Sequence, residues 1–331
     1  MKTAAISLLA LLALGACETI IDVPEPEHTP ALAVRYSLGT MPAPDDATRN
    51  LLAGRQLYVS ASQRLFDTQP LKGLATATAR LYDDNAGGAL VEEFVAGASY
   101  ATYGLQEDGY YVPTLNFQPQ PGRAYRLRVE APGYAAVESR LTLPPAAPTI
   151  TSAAFTPALD SDPYGRRGRL TVNVQDDPNA TDYYVAFARL LDANGQPLGN
   201  NGYGYGYISE EEDDDGVSTL QGDRLHLSNA YDNYLLLPYA DTDINGRAFA
   251  LSVDVRVSAY DPNGGPMTGG QIEVVISRVT RDSYLFWLSL DRYRNSDGNP
   301  FAEPAPLYSN VGNGFGIFGG SVDATVRVPL P

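Results

Sequence analysis

Short segments in which polar and apolar residues alternate recur along the chain, and this pattern restricts its fold more than any other feature. Alternation with a period of two places successive side chains on opposite faces of a strand and is typical of half-buried strands. Segments of this kind are residues 55–61, 75–82, 125–131, 169–175, 182–191, 248–259 and 271–279. Turn-forming pairs such as Pro121-Gly122 lie between them. The sequence therefore predicts an all-β protein.

A proline-rich segment at residues 144–148 divides the predicted strands into two groups. The hairpin that ends the first group is typical of an immunoglobulin-like β-sandwich, which we place at residues 31–146. The second group, residues 149–331, is predicted to form a second β-rich domain. One amphipathic helix is expected within it, at about residues 281–295, where large apolar residues recur at helical spacing and Thr280 or Asp282 can cap the start.

The N-terminus has the features of a secretory signal peptide, predicted at residues 1–16. Lys2 precedes an apolar run that is shorter than the roughly 20 residues needed to cross a bilayer as a helix. The run ends in Leu-Gly-Ala-Cys at residues 14–17, and Cys17 is the single cysteine of the chain. This tetrad resembles the bacterial lipobox, in which the cysteine receives fatty acyl chains such as palmitate. Lipidation at Cys17 is therefore predicted, with an ordinary signal peptide as the alternative.

Residues 17–30 are predicted to form an extended, solvated tether behind the lipidated cysteine. They contain three prolines and four acidic residues. Because the one thiol is lipidated, the mature chain forms no disulfide, and its body must be stabilised by burial of a core.

The overall charge excludes some classes of partner. The net charge is −16, and the basic residues form no cluster. A chain of this kind is a poor candidate for binding nucleic acid or anionic lipid by charge, so no nucleic-acid partner is expected. Membrane attachment then depends on the lipid.

The glycine-rich segment at residues 314–319 matches the dinucleotide fingerprint Gly-x-Gly-x-x-Gly. That site requires a helix after the last glycine, whereas the residues that follow alternate as a strand, so nucleotide binding is rejected. The glycines are expected to allow a close approach of backbones, with Phe315, Ile317 and Phe318 filling the core.

A calcium site is one interpretation of residues 241–246. Asp241, Asp243 and Asn245 stand where an EF-hand loop carries its first ligands, but Ser252 replaces the bidentate glutamate at the twelfth position. A tight turn built on the Asn-Gly pair is the favoured alternative. No cofactor is expected, and calcium is left open.

Three tyrosines, Tyr203, Tyr205 and Tyr207, are spaced to place their rings on one face of a strand. Such a row could stack on a sugar or a peptide, or it could cover the edge of the sheet. A Ser-His-Asp site in the body would require His226, and no Gly-x-Ser-x-Gly elbow accompanies it. Pairing of carboxylates in space cannot be read from a sequence, so a carboxylate-based hydrolase remains an alternative.

The C-terminal residues 294–304, 307–311 and 312–320 resemble the end of a family of Bacteroidota lipoproteins known as domain of unknown function 4249. The resemblance extends to the lipobox and to an early Ile-Asp-Val segment at residues 21–23. It implies an outer-membrane lipoprotein encoded near TonB-dependent receptors, and it brings no catalytic residues.

Together, these features predict a lipid-anchored accessory or binding protein of the outer membrane, more consistent with a non-enzymatic role than with an enzyme. A TonB-dependent receptor is the partner that the resemblance implies. The alternative is the extracytoplasmic hydrolase. The sequence leaves open whether the body faces the periplasm or the cell surface.

Overall fold

The computed structural model of the protein describes most of the body of the chain. The described residues are 27–41, 55–64, 67, 69, 71–99, 108–159, 166–198, 205–211, 225–228, 238–242, 244–260, 269–296 and 306–330. One compact unit contains Pro30–Ser62 and Leu71–Pro331. The other contains Met1–Thr29 and Gln63–Pro70, in which the side-chain amide of Gln63 donates to the carbonyl of Gln69 at 2.9 Å.

The larger unit consists of strands and one described α-helix, as the alternation predicts. The strands are β1 Leu32–Gly39, β2 Leu57–Ala61, β3 Thr78–Asp83, β4 Ala89–Ala96, β5 Tyr110–Pro113, β6 Ala124–Glu130, β7 Val137–Thr142, β8 Thr149–Pro157, β9 Arg166–Gln175, β10 Tyr183–Leu191, β11 Tyr205–Glu210, β12 Tyr239–Ala240, β13 Ala248–Tyr260, β14 Gln271–Val279 and β15 Phe315–Pro329. The helix, α1, spans Arg281–Ser296. The prediction of an all-β fold with one helix is confirmed.

The strands form two sheets. The larger sheet has the order β12-β10-β14-β15-β1-β2-β5-β4-β3-β6-β7, and the smaller has the order β11-β13-β9-β8. Neighbouring strands are antiparallel, except for β1 and β15, which pair in parallel. The four-stranded sheet and strands β10 and β14 enclose a common core that contains Leu170, Val253 and Ile272, giving a sandwich-like layout.

A separate core lies under the N-terminal strands. It contains Leu32, Leu81 and Leu127, all at most 2% exposed. Side chains from the C-terminal strand β15 also enter this core, at Phe318 and Val322. The strands before residues 144–148 and those after them therefore pack mainly in different cores. Backbone pairing between β1 and β15 nevertheless joins the two groups of strands in one sheet. The division into domains at 31–146 and 149–331 stays a prediction about independent folding.

Strand β15 connects the two parts of the larger sheet because its two halves have different partners. Its first half pairs with β1, from Phe315 opposite Ala33 to Ser321 opposite Gly39. Its second half pairs with β14, ending with Pro329 opposite Gln271. Both faces of its middle are covered, since Ile317 packs under the helix and Phe318 packs in the N-terminal core.

The glycines of β15 allow close backbone approach, as expected, but one of its aromatic residues lies elsewhere. Gly316 has a φ of 103°, and a Cβ atom there would lie 2.0 Å from the carbonyl oxygen of Val34. Phe315 precedes this irregular position and is 54% exposed. The expectation that Phe315 fills the core is therefore wrong, and only Ile317 and Phe318 do so.

Helix α1 begins at the predicted cap. The hydroxyl of Thr280 accepts a hydrogen bond from the backbone N–H of Ser283 at 3.4 Å. The buried face of the helix carries Phe286 and Trp287, which pack against Phe187 of β10 and Ile317 of β15. The amphipathic pattern read from the sequence thus corresponds to a helix that covers one side of the larger sheet.

Candidate functional site

Three aspartates from different strand ends meet inside the C-terminal part of the protein. Asp176 follows β9, Asp182 precedes β10 and Asp241 follows β12. One carboxylate oxygen of each lies within 4.8 Å of the others. The three residues are 3%, 6% and 0% exposed, respectively, so the cluster is shielded from solvent. We refer to these three residues as the carboxylate cluster.

Two members of the carboxylate cluster have well-defined partners. Asp176 accepts hydrogen bonds from the Tyr184 hydroxyl at 2.5 Å and from the backbone N–H of Gly246 at 2.7 Å. Asp182 forms an ion pair with Arg278, with an Nη2–Oδ2 distance of 2.8 Å. These contacts connect the cluster to β10, to β14 and to the turn before β13.

The third member, Asp241, has a different environment. Its backbone N–H donates to the carbonyl of Asp182 at 3.2 Å, which fixes its position. Both of its carboxylate oxygens are buried, and in the ionised form neither has a donor in good hydrogen-bond geometry among the described residues. The Nε and Nη1 atoms of Arg278 are also buried, and neither has a hydrogen-bond partner among the described residues.

Electrostatics distinguishes Asp241 further. Burial raises the pKa of its carboxyl to about 6, and a hydrogen bond with the backbone of Asp182 offsets part of that rise. The charge of Asp176, a hydrogen bond between the protonated carboxyl and the Asp176 side chain, and the charge of Asp182 add to it. Burial also raises the pKa of Asp182, against the opposing effect of Arg278. The cluster therefore holds more negative charge than its single guanidinium compensates.

The calcium loop expected at residues 241–246 is only partly visible. Asp243 lies outside the described residues, and the side chain of Asn245 is exposed, whereas Asp241 is buried. Gly246 has a φ of 78°, and the backbone N–H of Ile244 donates to the carbonyl of Asp241 at 2.8 Å, as in a tight turn. The structure thus brings Asp241 together with Asp176 and Asp182.

Sequence reasoning did not find Asp176 and Asp182 as partners of Asp241. The available signal was their position, because Asp176 directly follows the predicted strand at 169–175 and Asp182 begins the predicted strand at 182–191. Strand ends at one edge of a sandwich lie close in space, but the sequence does not state which ends meet.

The tyrosine row lies mostly beyond what can be described. Tyr203 is outside the described residues, and Tyr205 belongs to β11 but its side chain is not among those described. Tyr207 is half-buried and lies opposite Ser258 of β13, on the face away from the core residue Ile208. Strand β11 is an edge strand of the four-stranded sheet. A ligand-binding role for the row stays a prediction.

His226 pairs with a carboxylate. Its Nδ1 atom lies 2.9 Å from an oxygen of Glu210, whose other oxygen accepts from the backbone N–H of Leu227 at 3.1 Å. The Nε2 atom is buried, and no described residue forms a hydrogen bond with it. No serine hydroxyl is thus positioned on His226 among the described residues, as a Ser-His-Asp site would require.

A small cavity opens beside β1 and the segment after β5. Its volume is about 80 Å³. Its lining combines aromatic residues such as Tyr36 and Phe94 with Arg55 and Glu92. These two charged groups already have partners. Glu92 accepts from the backbone N–H groups of Thr114, Leu115 and Phe117, and Arg55 pairs with Asp323 at 2.9 Å.

Comparison with known proteins identifies the family. The family described as domain of unknown function (DUF4249) matches residues 50–327 of the 331 residues. The chain belongs to this family. The DUF4249 match includes β2 to β14 and most of β15, and the resemblance read from residues 294–320 is thereby confirmed. A search among curated proteins finds no match.

The DUF4249 match begins after the predicted anchor. Cys17 and the lipobox precede residue 50 and lie outside the described residues. Within the described part of the chain, no helix is long and apolar enough to cross a membrane.

Proposed function

We propose that the protein is a lipid-anchored binding protein of the outer membrane, non-enzymatic, that works beside a TonB-dependent receptor. The observation that supports this proposal is the Leu-Gly-Ala-Cys tetrad at residues 14–17, in which the single cysteine of the chain directly follows the predicted signal peptide at residues 1–16. Several acyl chains, each contributing about 0.8 kcal/mol per buried CH₂, hold such a protein at a membrane permanently.

The geometry of the carboxylates supports binding over hydrolysis. A general acid must lie within hydrogen-bond reach of the substrate. Asp176, Asp182 and Asp241 are at most 6% exposed, and their backbone and side-chain contacts connect strand ends instead of lining an open cleft. A hydrolase would need a different pair of carboxylates that a substrate can reach.

The cavity beside Tyr36 is smaller than the pockets that usually enclose small molecules. Pockets that enclose small molecules usually measure about 300–1,000 Å³. The cavity beside Tyr36 measures about 80 Å³, and the side chains of Glu92 and Arg55 in its lining already have partners within the protein. We propose instead a protein or polymer that contacts the edge strand β11, on the face where Tyr207 is half-buried.

We expect the Cys17→Ser variant to lose its membrane anchor, because acylation requires the thiol and no basic patch can replace the lipid. Phase separation in a cloud-point detergent measures this. The wild type is expected in the detergent phase, and the variant in the aqueous phase or as an uncut precursor. Glu18→Gln, at the next position, is the matched control and is expected to partition as the wild type does. A Cys17→Ser protein that matures and stays with the outer membrane would refute the anchor.

A further inference from the structure

We propose that Asp176, Asp182 and Asp241 form a calcium site that ties together strand ends from both sheets. This inference concerns the folded body and is independent of the proposed anchor. It assigns to Asp241 different partner ligands from those of an EF-hand loop.

The spacing of the three carboxylates matches one coordination sphere. Calcium binds oxygen ligands at about 2.3–2.6 Å, so two ligands of the same ion lie no more than about 5 Å apart. The oxygens of the carboxylate cluster lie within 4.8 Å of one another. A single ion at their centre can therefore contact all three side chains.

The unpartnered carboxylate of Asp241 indicates that a ligand belongs in the cluster. Leaving a buried carboxylate without a hydrogen bond or counter-ion is costly, and buried charges in proteins are normally paired or bound to metals. Asp241 is 0% exposed, and in the ionised form neither of its oxygens has a donor in hydrogen-bond geometry among the described residues. Its carboxylate lies beside those of Asp176 and Asp182. Each oxygen of Asp176 accepts one hydrogen bond, and Oδ2 of Asp182 pairs with Arg278.

Charge balance indicates a divalent ion. Three carboxylates contribute three negative charges and Arg278 contributes one positive charge, which leaves the buried group at −2. A divalent cation neutralises that charge. A monovalent ion or a single shared proton leaves one negative charge in a region without solvent.

The chemistry of the ligands favours calcium among divalent ions. The side chains in the cluster offer only oxygen, which suits hard cations and not zinc. Magnesium keeps several waters and demands octahedral geometry, whereas calcium accepts six to eight oxygens in flexible arrangements. The burial of Asp176, Asp182 and Asp241 leaves little access for a hydration shell.

The ion would connect elements that belong to different sheets. Asp176 follows β9 of the smaller sheet, while Asp182 and Asp241 adjoin β10 and β12 of the larger sheet. The turn before β13 is joined to the same group through the bond from the Gly246 N–H to Asp176. Calcium at this point would fix one end of the sandwich.

The rival arrangement is a proton shared between Asp241 and a neighbouring carboxylate, without a metal. The two are distinguished by calorimetric titration and thermal unfolding of the full mature protein in detergent at pH 7.5, after treatment with EDTA. We expect one calcium ion per chain. The unfolding midpoint should rise by about 5 °C at a calcium concentration one hundred times the dissociation constant, with a smaller rise in magnesium.

The variant Asp241→Asn tests whether the Asp241 side chain binds calcium or only contributes to the stability of the fold. It removes one buried negative charge, so without calcium it should unfold at or above the midpoint of the metal-free wild type, and its response to calcium should be lost. Asp254→Asn is the matched control: it removes an exposed carboxylate, paired with Arg169 on the outer face of β13, and should keep the response. If Asp241→Asn does not fold, Asp176→Asn is expected to show the same loss of response.

A wild type that neither binds calcium in the titration nor gains thermal stability would overturn the proposal in favour of the shared proton. A calcium response that persists in Asp241→Asn, or in Asp176→Asn, would overturn it in favour of another site.

Discussion

Replacing Phe318 with alanine is expected to lower the free energy of unfolding by about 3–5 kcal/mol. Phe318 is 0% exposed, and its ring stacks on Tyr36 of β1 at a centroid distance of 5.8 Å. The loss combines the hydrophobic burial of the ring with the cavity left in the N-terminal core, which cannot collapse freely because β15 is paired to β1. Chemical denaturation monitored by tryptophan fluorescence and circular dichroism measures the change.

Phe315→Ala is the matched control for this experiment. It deletes the same side chain from the same strand, at a position that is 54% exposed, and should change the free energy of unfolding by less than about 1 kcal/mol. Equal losses in the two variants, or a loss below about 1 kcal/mol for Phe318→Ala, would contradict the placement of β15 in the N-terminal core.

The second large effect is expected at the ion pair between Arg55 and Asp323. The two side chains are 8% and 3% exposed, and Asp323 also accepts hydrogen bonds from Ser277 at 2.6 Å and from the backbone N–H of Met41 at 3.0 Å. Arg55→Met leaves this carboxylate buried without its cation, which should cost about 3–5 kcal/mol at neutral pH. Asp323→Asn in the same background should recover part of the loss, since it removes the unpaired charge.

An exposed ion pair provides the control. Arg169 and Asp254 are 57% and 52% exposed, and Arg169→Met should cost no more than about 1 kcal/mol. A loss for Arg55→Met as small as that for Arg169→Met would contradict the buried pairing.

The pH dependence gives a second readout of the same pair. Burial alone would raise the pKa of Asp323, but the charge and hydrogen bonds of Arg55, with the hydroxyl of Ser277, outweigh it and lower that pKa below its ordinary value of 3.8. The unfolded chain therefore binds more protons, and the stabilisation is present above pH 3.8 and is lost as the pH falls through the lowered pKa. In Arg55→Met burial dominates and raises the pKa, so the stability penalty should shrink on acidification.

The parts of the fold that could be predicted are those encoded by residues close together in the sequence. Alternation located the strands at 125–131 and 271–279 to within a residue or two, and helical spacing with Thr280 as a cap located α1. Pairing was not predictable, because β1 and β15 come from opposite ends of the body and nothing in either segment names the other. The parallel pair therefore emerged only from the tertiary structure.

Burial on both faces of a strand explains the misplaced aromatic residue. In a half-buried strand every second residue is buried, but Ile317 and Phe318 are buried in succession because the helix covers one face of β15 and the N-terminal core covers the other. The positive φ of Gly316 separates this stretch from Phe315. Alternation in the sequence predicts burial on only one face of a strand, so it does not reveal a strand that is covered on both faces.

The candidate site was predictable only in part for a related reason. The turn residues around Asp241 are contiguous and suggested a cation ligand, whereas Asp176 and Asp182 reach it through the sandwich topology. The burial that leaves the Asp241 carboxylate without a partner is a tertiary property, so no local pattern records it.

Cross-linking and affinity capture from native outer membranes test the central claim most directly. The wild type is expected to recover an outer-membrane receptor of the TonB-dependent class, and a variant with Tyr203, Tyr205 and Tyr207 all changed to serine is expected to recover about tenfold less. Tyr293→Ser, at an exposed position of α1, is the control and should match the wild type. A wild type that recovers no membrane protein, while the purified protein hydrolyses a polysaccharide or an ester, would contradict the account and favour the hydrolase.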